Sequence, residues 1–363
     1  MFISKHHYAV ELAKRGNRVY FMNSPEKTDA LAKGEILIEE TGIKNVSVIK
    51  HRFFYPYIIK HKAKRLHAFL LKFHLEKIFD KIAVPVDIVW SFDVSNTIPL
   101  VSFPGKYFKI FMPVDEPAMP GGDVAAKSAR VMFSVTTEIL DKYRNYNIPK
   151  LFINHGVQER FINQQPVVNN TGVIQVGISG NFLRADVDWL SLLKMIENNP
   201  SVIFNFWGAF DLKSSNLSDK TAKTDNPQKD KLLKMGNVKV HGVVGSDELS
   251  KGLTEMDCFL ICYDIDKDPS GGTNYHKILE YMATGKVIVA NNTTTYETRR
   301  DLVEMPAERN NSALPALFDK VINNLDYYNS LEKQAQRIEY ARQHTYPKNI
   351  ERIERFINEE VLG

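Results

Sequence analysis

Apolar positions along the chain switch between two periods. Across residues 7–15 they recur at helical spacing, Tyr8 with Leu12 and Ala9 with Ala13, and Gly16 stops the run before residues 18–23 turn β-branched and aromatic. Residues 46–50, 87–92, 107–112 and 130–135 predict further strands, most of them followed by Gly, Pro or polar residues. A second set of strands is predicted at 173–176, 202–207, 238–241, 258–262 and 287–290, with helices at 187–197, 246–255 and 275–284 between them. Strands alternating with helices predict α/β architecture: parallel sheets wound with helices, whose ligand sites lie in loops leaving the strands' carboxyl ends.

At 363 residues the chain exceeds one ordinary core, so two doubly wound domains are expected. Residues 158–170, with Pro166 and no period, predict a linker, and the polar stretch 213–231 an exposed insertion. The expected division is 1–160, 161–345 and a closing helix at 346–363. A doubly wound unit opens on a buried strand, yet only Met1 to Ser4 precede the first helix; that strand is either a stub or lies upstream.

Composition narrows the class. With 44% apolar and 25% charged residues, 19 Gly and 16 Pro, a fibrous or largely disordered chain is excluded. Cys258 and Cys262 share one predicted strand, roughly 13 Å apart at ~3.3 Å per residue, too far for a disulfide. No secretory leader opens the chain, so a cytoplasmic setting is expected, and no apolar run is long enough to span a bilayer. The net charge of +4 is uneven: residues 50–81 hold nine Lys/Arg against two acids, interleaved with Phe53, Phe54, Tyr55, Tyr57, Phe69 and Phe73. That mixture suits peripheral contact with an anionic membrane at the inner face. The bland alternative is a solvated helix whose stripe of Leu66, Phe69, Leu70, Phe73 and the Lys77 stem packs on a core, with His51, His61, His67 and His74 decorating its surface. Nucleic acid is not expected, because no reader motif accompanies the charge.

The segment carrying most chemistry is residues 270–290. Its Gly/Thr/Asn loop at a helix start offers N–H groups to phosphate oxygens, Lys277 adds a cation, and Glu280, three residues on, has a carboxylate suited to two vicinal hydroxyls. Without a ligand the same residues describe a capped helix with a solvent Lys–Glu pair.

Residues 276–290, His-Lys-Ile-Leu-Glu-Tyr-Met-Ala-Thr-Gly-Lys-Val-Ile-Val-Ala, resemble the donor-binding signature of GT-B glycosyltransferases, particularly family-4-like enzymes of bacterial polysaccharide assembly. Residues 7–16 are similar to the first helix of these enzymes, 153–157 to the turn entering their hinge, 237–257 to the strand, base loop and helix before the signature, and 344–346 to the entry of their closing helix. The resemblance implies a GT-B fold: two Rossmann-like domains facing a central cleft, with a closing helix returning to the first. It implies hexosyl transfer, retaining and metal-independent, from a nucleotide-diphosphate sugar, UDP favoured, to a glycan or lipid-linked acceptor of surface polysaccharide. The nucleotide sugar is a co-substrate, and no cofactor is implied.

Carried over by position, Glu280 would bind the ribose hydroxyls, the N–H groups of Thr273, Asn274 and Tyr275 the diphosphate, and Val243 and Val244 the nucleobase. Gly180, Asn181 and Arg184 fall in the first loop of the second domain, where a cation offsets the leaving diphosphate, Lys277 being the other candidate. In the first domain Asp93 is the leading catalytic candidate, Asp115 its competitor, and His6 and His7 would line the acceptor side.

One position departs from the family. Many members carry two glutamates separated by seven residues, and the first of these positions is Gly272 here. Two further readings share the fold: a non-catalytic scaffold that binds donor or glycan, and a nucleotide-sugar epimerase. The acidic run Asp264, Asp266 and Asp268 is not a calcium loop, since Pro269 and Tyr275 stand where Gly and Glu belong.

Overall fold

A computed structural model describes residues 3–117, 122–162, 165–167, 172–211 and 226–362. It divides into two compact units, Met1–Asn154 with Tyr346–Gly363, and His155–Thr345. Most of the predicted 213–231 insertion and part of the predicted 158–170 linker lie outside the described residues. The described start of that linker is not featureless: a turn of helix at Glu159–Ile162 buries Phe161 in the second unit's core.

The first unit contains seven described strands, β1 (Val19–Met22), β2 (Ile36–Glu40), β3 (Val46–His51), β4 (Ile88–Ser91), β5 (Phe108–Phe111), β6 (Val131–Ser134) and β7 (Lys150–Phe152). They form two sheets, β1-β3-β2 and β4-β5-β6-β7. Every pairing is parallel except β2 with β3. The pattern did not predict β2, whose Ile-Leu-Ile-Glu-Glu run ends polar and exposed, or β7, which is three residues long.

The Lys64–Lys81 helix faces opposite to the stripe read from sequence. Its buried side is His67, Leu71, His74, Leu75 and Ile78, while Leu66, Phe69 and Phe73 point outward at 47, 59 and 44% exposure. His51 and His74 are buried neighbours sharing a 2.9 Å hydrogen bond, and His67 bonds Tyr55 at 3.1 Å, so three of the four expected surface histidines are core groups. Burial pushes their pKa values down, that of His74 to about 4. The closing helix, Tyr346–Ile357, belongs to this unit: Tyr346, Ile350 and Ile353 pack with Tyr8 and Phe133, and Asn349 donates to the Asn154 carbonyl.

The second unit has one uninterrupted sheet. β8 (Gln175–Asn181), β9 (Ile203–Ala209), β10 (Val238–Gly242), β11 (Cys258–Ile261) and β12 (Val287–Ala290) lie in the order β10-β9-β8-β11-β12, all parallel. β11 and β12 are buried throughout, as near-continuous apolar runs covered on both faces must be. Cys258 and Cys262 are free thiols within this core. The strand order reverses between β8 and β11, and such a switch point opens a crevice at the strands' carboxyl ends.

Candidate functional site

Gly180 and Asn181, expected in a loop, are instead the last residues of β8. Their backbone lies against β9 so closely that a Cβ on Gly208, at φ +140, would stand 1.6 Å from the Gly180 carbonyl oxygen. A Cβ on Gly180 itself would meet the Lys277 Nζ and the Tyr263 hydroxyl, both at 2.9 Å. Two glycines therefore admit a buried ammonium to the sheet's carboxyl edge.

Lys277 is that ammonium, and it is no solvent cation. It is 7% exposed and donates to the Ser179 carbonyl at 2.5 Å and to the Tyr263 hydroxyl at 2.6 Å. The third N–H of its head group has no partner among the described residues. Three residues on, Glu280 is half-buried and makes no hydrogen bond among the described residues. Burial pushes its carboxyl up to about 7, against the opposing pull of Lys277. A desolvated carboxylate with no hydrogen bond among the described residues, beside a partly satisfied ammonium, has the perturbed electrostatics that clusters at functional sites.

The loop before this helix is organised by Asp268. Its buried carboxylate accepts from the Ser270 N–H at 2.9 Å, the Gly272 N–H at 3.2 Å and the Tyr275 hydroxyl at 2.6 Å. Gly271 and Gly272 have φ of +59 and +65, and a Cβ on Gly272 would press on Ile265 at 3.1 Å and the Asn292 carbonyl at 3.3 Å. At this left-handed, tightly packed turn any side chain, an acid included, would be strained. Thr273, Asn274 and Tyr275 are buried, and the helix proper begins later than predicted, at Lys277–Met282.

Arg184 departs from the expected free cation. It is paired with Asp186 through both Nε, at 2.8 Å, and Nη2, and lies 3.4 Å from Asp268. The Asp186 hydrogen bond holds the guanidinium charged, but its charge is locally matched. Val243 and Val244 leave β10 as expected, Val243 exposed at 47% and Val244 resting on the core.

Several residues of this site escaped the sequence reading. His155 and His276 approach with ring centroids 6.1 Å apart. Burial first and the neighbouring His276 second push His155 down to about 3, and desolvation first, then the Lys277 and Arg184 charges, push His276 to about 4. Both imidazoles are neutral at pH 7. Tyr281 fixes the carboxyl end of β8 by accepting from the Ser179 N–H at 2.7 Å while stacking on Phe259. The donor-like run around residues 276–281 was the available signal; the partners it would meet were not visible in it.

Asp93 accepts from the Ser95 N–H at 3.0 Å and the Ile98 N–H at 2.9 Å, both its oxygens holding the loop after β4. Asp115 is exposed, and Glu116 pairs with Lys142. His6 lies 4.8 Å from the Phe21 ring and accepts from the Ile3 N–H, and His7 stacks on Tyr346.

No model of a known family and no curated protein matches the chain by sequence. Solved structures do match its fold. A sucrose-phosphate synthase from Thermosynechococcus elongatus aligns over 97% of this chain and 91% of its own, with TM-score 0.64 and 11% identity. A glycosyltransferase from Rickettsia africae aligns over 99% and 94%, with TM-score 0.66 and 14% identity. Anabaena HepE in complex with UDP aligns over 87% and 86%, with TM-score 0.61 and 14% identity. The chain has the GT-B fold. Within that fold, Lys277, Glu280 and the Asp268-ordered loop gather at the carboxyl edge of the second unit's sheet.

Proposed function

We propose that the protein transfers a sugar from a nucleoside-diphosphate sugar, UDP favoured, to a glycan or lipid-linked acceptor in surface polysaccharide synthesis. The observation carrying this reading is Glu280, half-buried and without a hydrogen bond among the described residues, one helical turn from a buried ammonium whose third N–H has no partner among them. The GT-B fold and the UDP held by Anabaena HepE support the donor class.

Glu280 would accept the two ribose hydroxyls, and its ionised form is favoured once they donate to it. The N–H groups of Thr273 to Tyr275 and the remaining N–H of Lys277 would receive the diphosphate, with Arg184 a more distant, already paired cation. Charge growing on the departing diphosphate is met by donors already in place, so transfer proceeds by electrostatic stabilisation with no metal and no covalent nucleophile. A retaining outcome is part of the proposal, with Gly272 standing where many members of the resembled family carry a carboxylate. The outward Leu66, Phe69 and Phe73 beside Arg65 and Lys72 fit peripheral contact with an anionic membrane, where a lipid-linked acceptor resides.

Thermal stability against UDP, GDP, ADP, TDP and CMP tests the donor half. A nucleotide at 100 times its dissociation constant adds about 2.7 kcal/mol. UDP is expected to raise the melting temperature of the native chain and to leave Glu280→Ala unmoved. A flat response to all five would transfer the reading to the non-catalytic scaffold.

A further inference from the structure

We infer that the second unit holds a further ligand site, for a phosphorylated sugar, in a cavity beside the outer edge of β12 and built from residues that the donor-like loop does not use. The cavity encloses about 380 Å³, which falls among small-molecule pockets and exceeds what one tetrahedral anion fills. Its walls come from separate pieces of chain. Glu304 lies on the sheet edge beside Val289 of β12: the Ala290 N–H donates to the Glu304 carbonyl at 3.0 Å, and the Glu304 N–H to the Ile288 carbonyl at 2.9 Å. Lys320 comes from the last turn of the Leu314–Ile322 helix, Tyr327 from the Leu325–Tyr328 turn, and Lys333 from the first turn of the Leu331–Arg342 helix.

The charges do not balance within the fold. Arg300, Lys320 and Lys333 line the cavity against one acid, Glu304, and among the described residues none of the three has a carboxylate within 4 Å. The neighbouring Asp301 is taken up by Arg299, accepting from its Nε at 3.0 Å and its Nη2 at 2.8 Å. Glu304 is also drawn on from the core. Arg337 has no exposed surface and donates to the carbonyls of Leu302, Gly285 and Tyr328; its Nη2 has no partner among the described residues, and Glu304 is the foremost charge acting on it. One half-buried carboxylate therefore answers four cations. Burial pushes Glu304 up, while Arg337, Lys333, Lys320 and Arg300 pull against that. Two of the cations are positioned rather than loose: Arg300 is held by the Met305 and Pro306 carbonyls at 2.6 and 3.3 Å, and the Lys333 ammonium lies 4.7 Å over the Tyr327 ring. Lys333 also stands at the positive pole of its helix, where a cation is disfavoured.

These groups select the ligand class. A phosphate monoester brings the negative charge that three convergent cations lack, in charge-assisted hydrogen bonds. Inorganic phosphate would fill the cavity only in part and would meet the Glu304 carboxylate, whose oxygens only accept. A sugar attached to the phosphate removes that conflict, since its hydroxyls donate to Glu304 and its C–H face lies against Tyr327, which is 65% exposed.

Isothermal titration of the full chain with glucose 6-phosphate, glucose and inorganic phosphate tests the assignment. Glucose 6-phosphate is expected to bind about tenfold tighter than inorganic phosphate or better, and glucose to give no measurable binding. Lys320→Ala with Lys333→Ala should weaken glucose 6-phosphate by about tenfold or more, with the melting temperature of the ligand-free chain unchanged. Glu304→Gln should narrow the preference over inorganic phosphate, because the charge that repels the bare anion is gone. Glu280→Ala should leave the binding intact. No binding by the native chain, undiminished binding by the Lys320 and Lys333 variant, or loss of binding in Glu280→Ala overturns the site. Equal affinity for glucose 6-phosphate and inorganic phosphate overturns the sugar as its ligand. A chain that takes glucose 6-phosphate here and ignores UDP keeps this site and overturns the donor reading instead.

Discussion

The two units use the same β/α alternation and bury it differently. In the second, β8 is flanked by β9 and β11, and the whole of β11 and β12 is withdrawn from water. In the first, burial is full in β6, partial at the start of β5, and lost at β4 and β1, which read as half-buried or exposed at every position. Burial thus declines toward β1 and β4, each at an end of its sheet. A central strand does more than add its own side chains; it closes the backbone edges of its neighbours and lets helices seal both faces at once.

If continuity makes the second sheet intolerant, its tightest backbone approach should show it. Gly208→Ala places a Cβ against the Gly180 carbonyl and is expected to destabilise the second unit by at least about 3 kcal/mol in urea unfolding. Gly105→Ala, in the first unit with open space around it, should stay within about 0.5 kcal/mol. Similar losses at both positions would erase the distinction.

The first unit should also lose stability in acid. His74 has a folded pKa of about 4, well below the usual 6.5, so the unfolded chain takes up a proton before the folded one does. The stability this group contributes is complete above about pH 6.5 and is lost as pH falls toward 4. His74→Gln should flatten the fall in urea unfolding free energy over that window by an amount on the order of 2 kcal/mol. An unchanged slope would mean the buried His51–His74 pair is already relieved in the folded state.

The smallest effect concerns the outer face of the Lys64–Lys81 helix, which has exposed aromatics beside cations. Co-sedimentation with vesicles rich in phosphatidylglycerol should weaken several-fold in Phe69→Ser with Phe73→Ser, with no change in melting temperature. Equal binding by the variant, or none by the native chain, would reduce this face to a solvated surface.

Ten of the twelve strands were legible, because apolar runs bounded by Gly, Pro and polar residues carry their own signal. The helix around residues 277–282 was legible for the same reason, and with it the placement of Lys277 and Glu280 near a glycine loop. The histidines of residues 50–81 were not: the helical period is satisfied with either flank inward, and the inward one proved to be that of His67, Leu71 and His74. Arg337, with no exposed surface and donating to the carbonyls of Gly285 and Tyr328, likewise reads as a surface charge on its own helix.

Local pattern was enough for the alternation of strands and helices and for the glycine turn before the Lys277–Met282 helix. Long-range packing assigned other charges: Lys277 to a carbonyl 98 residues away, Arg184 to the vicinity of Asp268, and Glu280 to no hydrogen-bond partner among the described residues. Periodicity is written over a few neighbouring residues, whereas the protonation and reach of an ionised side chain depend on the desolvation and partners that the folded chain brings to it.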